Sequence, residues 1–151
     1  MKPRPERGCR DAAIDLLARR EHARRELHFK LAQRGFEDAE IVAVLDALEA
    51  ERLLSDERYA EAYVHSRESR GFGPLRIRAE LRERGVDAAL VERYLEQDRE
   101  LVEARAREEH RKKYGSRSPE SYSERARQAR FLQGRGFPSD VIWRVVGGSE
   151  E

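Results

Sequence analysis

The pattern Leu-x-x-Arg-Gly, followed by Phe or Val, occurs three times in this chain. It reads Leu31-Ala32-Gln33-Arg34-Gly35-Phe36, then Leu81-Arg82-Glu83-Arg84-Gly85-Val86, and returns as Leu132-Gln133-Gly134-Arg135-Gly136-Phe137. The glycines fall 50 and 51 residues apart. Six residues past each comes Ile41, Val91 or Ile142, and ten past comes Leu45, Leu95 or Val146. A fixed period of this length marks a tandem array of one supersecondary unit. It also points to a surface, not a catalytic pocket, as the working part.

The residue budget of such a chain is tight. Of 151 residues, 40% are charged, 38% hydrophobic and 7% aromatic. A chain this lean folds only if its apolar residues fall on regular buried stripes; otherwise it is disordered. Here they fall regularly, except in the first handful of residues and the last five. The length suits one ordinary domain or a few very small ones. The single Cys9 excludes an intramolecular disulfide and suggests a reducing compartment; near a terminus expected to fray, it reads as incidental. No apolar run approaches the roughly 18 to 20 residues of a membrane span. Met1-Lys2-Pro3-Arg4-Pro5 has charge but no following apolar region, so it does not read as a secretory signal. The expectation is a cytoplasmic protein.

Helical signals dominate, and no sustained two-residue alternation predicts a strand. In the first repeat, Asp11–Ala18 is amphipathic, and a helix is predicted from about Glu21 to Arg34 with Leu27 and Leu31 on one face. Gly35 sits where a left-handed residue closes a helix, and Ile41, Val44, Leu45 and Leu48 form the next buried stripe. In the second repeat, Ser55-Asp56 is an N-cap signal before Tyr59, Ala60, Tyr63 and Val64. Gly71 ends that helix, and Pro74 starts the next, carrying Ile77 and Leu81. Asp87 then caps a helix bearing Leu90, Val91, Tyr94 and Leu95. In the third repeat a longer helix spans about Asp98–Tyr114, with Leu101, Val102 and Ala106 inward. Ser118-Pro119 reads as a cap and first-turn pair for the following helix. Gln128 replaces the apolar residue of Leu27 and Ile77, and Gly134 adds a second breaker. Pro138-Ser139-Asp140 opens a last helix with Val141, Ile142, Val145 and Val146, which Gly147-Gly148 stops. The prediction is all-α: an elongated tandem array of three three-helix repeats over 10–53, 54–97 and 98–147. Its hinges are placed near Leu53–Ser55 and Gln97–Asp98.

No catalytic constellation is evident, and no cofactor or metal is implied. His22, His28, His65 and His110 do not recur with the period and read as surface histidines. Gly71-Phe72-Gly73 follows no strand and is not a phosphate cradle. Tyr59, Tyr63, Tyr94, Phe131 and Trp143 fall on inward stripes, whereas Phe29, Phe72 and Tyr122 are expected to be partly exposed. What remains is basic surface. The net charge of +1 conceals bands of +5 (1–35), −7 (36–62), +3 (63–86), −4 (87–103), +5 (104–130) and −1 (131–151). Candidate contact residues are Arg24, Arg25 and Lys30 in the first band. Arg76, Arg78, Arg82 and Arg84 form the second, and Arg111, Lys112, Lys113, Arg125, Arg127 and Arg130 the third. Such bands are either solvated faces paired with Glu80, Glu83 and their like, or a stripe for phosphates or an acidic protein. Short helix pairs about a glycine turn also resemble helix-turn-helix geometry, but near-zero net charge argues against DNA affinity as the sole function.

The central stretch Leu54-Ser55-Asp56-Glu57-Arg58-Tyr59-Ala60-Glu61-Ala62-Tyr63-Val64, then Arg70-Gly71-Phe72-Gly73-Pro74, then Ile77-x-x-Glu80-Leu81-x-x-Arg84-Gly85-Val86, resembles the RecX family, bacterial regulators of RecA recombinase. Leu16-Leu17-Ala18-Arg19-Arg20-Glu21, Glu26-Leu27 ahead of Arg34-Gly35-Phe36, and Phe131-Leu132 with Arg135-Gly136-Phe137 fit as well. The resemblance spans about residues 10–147; Gly134 and Gln128 depart from the pattern. It implies a non-enzymatic role in DNA repair, homologous recombination and the SOS response. The expected partner is the RecA filament on DNA, whose ATP hydrolysis, strand exchange and coprotease activity such a protein suppresses. Single- and double-stranded DNA would be secondary ligands. Charge and helix position single out Arg76, Arg78, Arg82, Lys112 and Lys113 as contacts. A monomer is expected, since no unburied apolar stripe demands a dimer. The competing readings are a non-specific helical DNA-binding module acting without RecA, and a structural helical scaffold.

Overall fold

The computed structural model describes residues 7–147; Met1-Lys2-Pro3-Arg4-Pro5, Gly148 and the other terminal residues, on which some expectations fell, lie outside them. Among the described residues there are nine helices and no strand: α1 (Cys9–Arg19), α2 (Arg24–Gln33), α3 (Asp38–Ala50), α4 (Asp56–Ser69), α5 (Pro74–Glu83), α6 (Ala88–Tyr94), α7 (Arg99–Tyr114), α8 (Tyr122–Arg135) and α9 (Ser139–Val146). They follow one another as three three-helix repeats.

The recurring motif is a helix terminator with all its parts in the sequence. After α2 the Gly35 N–H reaches the Ala32 carbonyl and the Phe36 N–H reaches the Leu31 carbonyl. After α5 the same bonds run from Gly85 to Arg82 and from Val86 to Leu81, and after α8 from Gly136 to Gln133 and from Phe137 to Leu132. This is the Schellman arrangement, which needs a left-handed residue at its centre. The three glycines supply it, at φ 98, 77 and 101°. The leucine is three positions from the helix end and the Phe or Val is the residue past the glycine, the two sites whose side chains meet in such a cap.

The starts of α4, α6 and α7 carry side-chain caps, whereas those of α1, α3 and α9 do not. Ser55 Oγ accepts the Arg58 N–H at 3.1 Å, Asp87 accepts the Ala89 N–H at 2.8 Å, and Asp98 accepts the Glu100 N–H at 2.9 Å. Two predicted starts are corrected. α2 begins at Arg24, not near Glu21. Glu26, clamped by Arg20 at 2.5 Å, turns back to the Ala23 N–H at 3.4 Å, so Arg20–Ala23 is a non-helical lead-in. α8 begins at Tyr122, not behind Ser118-Pro119. Ser121 Oγ accepts the Glu124 N–H at 3.1 Å, and Glu124 accepts the Glu120 N–H at 2.7 Å.

Packing groups the chain into two compact units. One holds Arg7–Tyr63 together with Leu81–Val91, and the other holds Val64–Glu80 with Glu92–Gly147. The first has a core of Leu16, Leu27, Leu31, Ile41, Leu45, Leu48 and Leu54, all under 6% exposed. Cys9 and Ala12 join it, so Cys9 is a buried helix residue, not a frayed one, and burial pushes its thiol pKa up. The second unit is built on Val102, Ala106, Leu132, Phe137, Val141, Ile142 and Val146. The middle repeat is therefore divided: the first part of α4 and last part of α5 lie in one unit, and their other parts lie in the second. The segments predicted as hinges fall inside units: Leu53–Ser55 in the first, Gln97–Asp98 in the second.

Glycine packing accounts for that division. In the first unit a Cβ on Gly85 would lie 2.5 Å from Arg25 Cδ, in the first turn of α2. In the second, a Cβ on Gly136 would lie 2.4 Å from Arg76 Cβ and 2.6 Å from its backbone nitrogen, in the first turn of α5. There the end of α8 also caps α5: Gly73 N–H donates to the Arg135 carbonyl at 2.7 Å and Leu75 N–H to the Gly136 carbonyl at 2.9 Å. Gly73 must itself be glycine, since its Cβ would stand 2.6 Å from the Gly136 carbonyl. The glycine closing a second helix thus sits on the first turn of the preceding repeat's second helix.

Several side chains depart from their predicted places. Leu101 and Trp143 are about half exposed, at 48% and 49%. Gly134 does not break α8, which runs through it to Arg135. His22 is buried, not a surface histidine. Its Nδ1 lies 3.0 Å from the Arg20 carbonyl and its Nε2 3.0 Å from Lys30 Nζ, which places the proton on Nδ1 and leaves Nε2 as acceptor. Burial first, and then the Arg20 and Lys30 charges, lower its pKa, against the bond to the Arg20 carbonyl, which raises it. Gln128 keeps the buried position of Leu27 and Ile77 by pairing its Oε1 with His110 Nε2 at 2.6 Å, so His110 too is half-buried.

Candidate basic interface

The predicted basic residues divide into those that brace the fold and those left to solvent. In the first band Arg24 is a brace: its guanidinium holds Glu49 at 2.6 Å and Asp46 at 2.8 Å on α3, and its N–H reaches Asp56 at 2.7 Å. Lys30 is engaged with His22 and stands 3.9 Å from Glu26. Arg25 is exposed, lies across Gly85, and forms no ion pair among the described residues. It flanks an open groove lined by His28, Phe29, Ala32 and Asp56, where Phe29 is 62% exposed.

In the second band Arg78 makes a two-pronged pair with Glu92 at 2.6 and 3.1 Å, which holds that carboxyl below its usual range. Arg76 reaches Glu80 at 3.1 Å and the Gly134 carbonyl at 3.1 Å. Arg84 donates to the Tyr63 hydroxyl at 2.9 Å. Arg82 is exposed and has no ion pair among the described residues. In the third band Arg111 pairs with Glu108 at 2.7 Å, Lys112 with Glu109 at 3.4 Å, and Arg127 with Glu124 at 4.0 Å, each three residues apart and so within one helical turn. The Glu109 carboxyl is buried, but the other two are exposed pairs, which contribute under about 1 kcal/mol and exchange readily for another anion. Lys113 lies 4.9 Å from the Phe131 ring centroid and Arg130 is exposed. Arg125 Nε is buried with no hydrogen-bond partner.

Sequence reading missed two clusters in the second unit. Phe72 is covered by three guanidiniums, Arg67 at 3.8 Å, Arg76 at 4.4 Å and Arg135 at 4.9 Å, a stacked cation–π group. The signal was an aromatic between two glycines, Gly71 and Gly73, whose missing side chains leave room for the Glu109 carboxyl and the Gly136 backbone on either side of it. The second is a cavity where the α7–α8 loop meets α7 and α9, lined by Arg107, Arg111, Arg117 and Arg144. Among the described residues no group of three or more His, Cys, Asp or Glu is placed to hold a metal, and no helix is long and apolar enough to cross a membrane.

Comparison with known proteins fits this architecture. Family profiles for RecX match in order along the chain: the first three-helix domain over residues 9–48, the second over 55–95 and the third over 102–146. The regulatory protein RecX of Halorhodospira halophila is 45% identical over 142 residues, 94% of this chain and 88% of that protein. That of Pseudomonas syringae pv. tomato is 47% identical over 139 residues, 92% of this chain and 90% of its own length. A crystal structure of RecX from Lactobacillus salivarius shares the fold, with a TM-score of 0.75 at 23% identity over 92% of both chains. Another, of a regulatory protein RecX, gives 0.79 at 19% identity over 93% of this chain and 72% of that one. Three profiles in register and relatives this similar over nearly the whole length settle the assignment: the chain belongs to the RecX family of regulatory proteins, not to a family of enzymes.

Proposed function

We propose that this chain is a negative modulator of RecA recombinase that binds the RecA–DNA filament and inhibits its ATPase, strand-exchange and coprotease activities. The observation that carries this reading is the match of all three family domains, in order, over the described chain. The surface chemistry supports it. Cations without an ion pair occur in both units, among them Arg25 and Arg82 in the first and Lys113 and Arg130 in the second. Several weak contacts on tandem repeats add through effective concentration when the partner also repeats. The contact surface is drawn from Arg25, Arg82, Arg111, Lys112, Lys113 and Arg127, while Arg24, Arg76 and Arg78 hold it in place. DNA is a secondary ligand, the protein acts as a monomer, and it works in the cytoplasm.

The test is to add the purified chain, well below stoichiometry, to its cognate RecA on single-stranded DNA. The expected result is a fall in ATP hydrolysis and shorter filaments. Unchanged ATPase and filament length would sink the proposal. Tight DNA binding without RecA, with a steep salt dependence, would favour the plain DNA-binding module instead.

A further inference from the structure

A cavity lies where the α7–α8 loop meets α7 and α9. Its volume is about 520 Å³, within the range of small-ligand sites. Arg107, Arg111, Arg117 and Arg144 line it, with Ser116 and Ser118 from the loop, and no carboxylate is in its wall. The counter-charges lie beside it. Glu103 is shared by Arg107 at 2.7 Å and Arg144 at 3.4 Å, and Glu108 pairs with Arg111 at 2.7 Å. Arg117 has no carboxylate partner among the described residues. Four guanidiniums against two carboxylates leave two positive charges facing one concavity.

The bland reading is that arginines near helix C-termini offset the helix dipoles. It covers Arg111 and Arg144, each in the last turn of its helix. It does not cover Arg117, which lies past the end of α7, nor Arg107, two turns inside it. Arg107 is also held in place: one nitrogen donates to the Arg144 carbonyl at 3.1 Å while it grips Glu103. A guanidinium fixed in this way offers its remaining donors at little ordering cost. Guanidinium forks match phosphoryl oxygens in pairs, and a dianion matches the local excess of two charges.

We propose that this pocket binds a phosphate monoester dianion, with Arg107, Arg117 and Arg144 as direct ligands and the Ser116 and Ser118 hydroxyls as further donors. The group has two sources, a free nucleotide or the 5′-phosphate end of a nucleic-acid strand, and internal phosphodiesters, with one charge each, fit less well. The test uses the full chain without RecA, so its outcome is separate from that of the regulator reading. Backbone amide NMR shifts of Gly115–Ser118 are followed during titration with a nucleoside monophosphate, a 5′-phosphorylated tetrathymidylate and its 5′-hydroxyl counterpart at matched ionic strength. Saturation by either phosphorylated probe, with the 5′-hydroxyl strand at least about tenfold weaker, is the expected result. Saturation by the mononucleotide identifies a free-nucleotide site; saturation by the phosphorylated strand alone identifies a strand end. Arg117→Ala, which removes no ion pair, should weaken the saturating probe by about tenfold, whereas Arg19→Ala on α1 should not. No saturable shift up to roughly 10 mM, equal response to the 5′-hydroxyl strand, or unchanged affinity in Arg117→Ala would each overturn the proposal.

Discussion

At the scale of single residues, His22 gives the fold a pH dependence. Its folded imidazole is buried and neutral, with Lys30 against Nε2, so its pKa lies below the unfolded value. The unfolded chain takes up a proton there that the folded chain does not, so stability is full above about pH 6.5 and falls as pH drops through and below that value. Urea titrations at pH 7.5 and 5.5 should show this loss in the parent and a smaller one in His22→Gln; equal slopes would exclude His22 as the cause. The braces and the free cations should also separate. Arg78→Ala should lower stability by about 0.5–1 kcal/mol through its pair with Glu92, measured by denaturant midpoint. Arg82→Ala should leave stability unchanged while weakening filament binding several-fold; a stability loss equal to that of Arg78→Ala would remove the distinction. Buried His22 and the His110–Gln128 pair were not legible in the sequence. A polar residue reads as surface unless its partner is known, and these partners are a carbonyl two residues back and a side chain eighteen residues away.

At the scale of elements, what could be read early depended on the reach of the bonds involved. The Schellman terminators were legible because every part lies within six consecutive residues. The start of α8 was misread among three serines, although Ser121-x-x-Glu124 carries the better local signal, a cap residue with a glutamate three positions on. Gly134 was misread as a breaker because composition does not say where φ turns positive. Its φ is ordinary and open space surrounds it, while Gly136 has φ 101° and presses on Arg76. Two alanine substitutions only two residues apart should therefore have opposite signs. Gly134→Ala should stabilise by about 0.5–1 kcal/mol through helix propensity, and Gly136→Ala should destabilise by about 2 kcal/mol or more through strain and contact. Thermal melts of the two variants check this, and a shared sign would refute the assignment.

At the scale of the whole molecule, the repeat count and helix order were legible because a period survives in the letters. The division into compact units was not, since it depends on bonds such as Leu75 to Gly136 that no local pattern encodes. A chain ending at residue 97 keeps two repeats by sequence but loses the acceptors for Gly73 and Leu75. Its α5 should then be frayed at the N-terminal turn and ordered at the C-terminal one, and hydrogen exchange resolved by residue would show it. Protection of the whole helix in that fragment would contradict the division. The shared α5 has a use beyond packing. Because its two ends answer to different halves of the chain, it is a gauge with two dials. Fluorine labels at positions 75 and 82, read during one denaturation, would report the loosening of each half separately from within a single ten-residue helix.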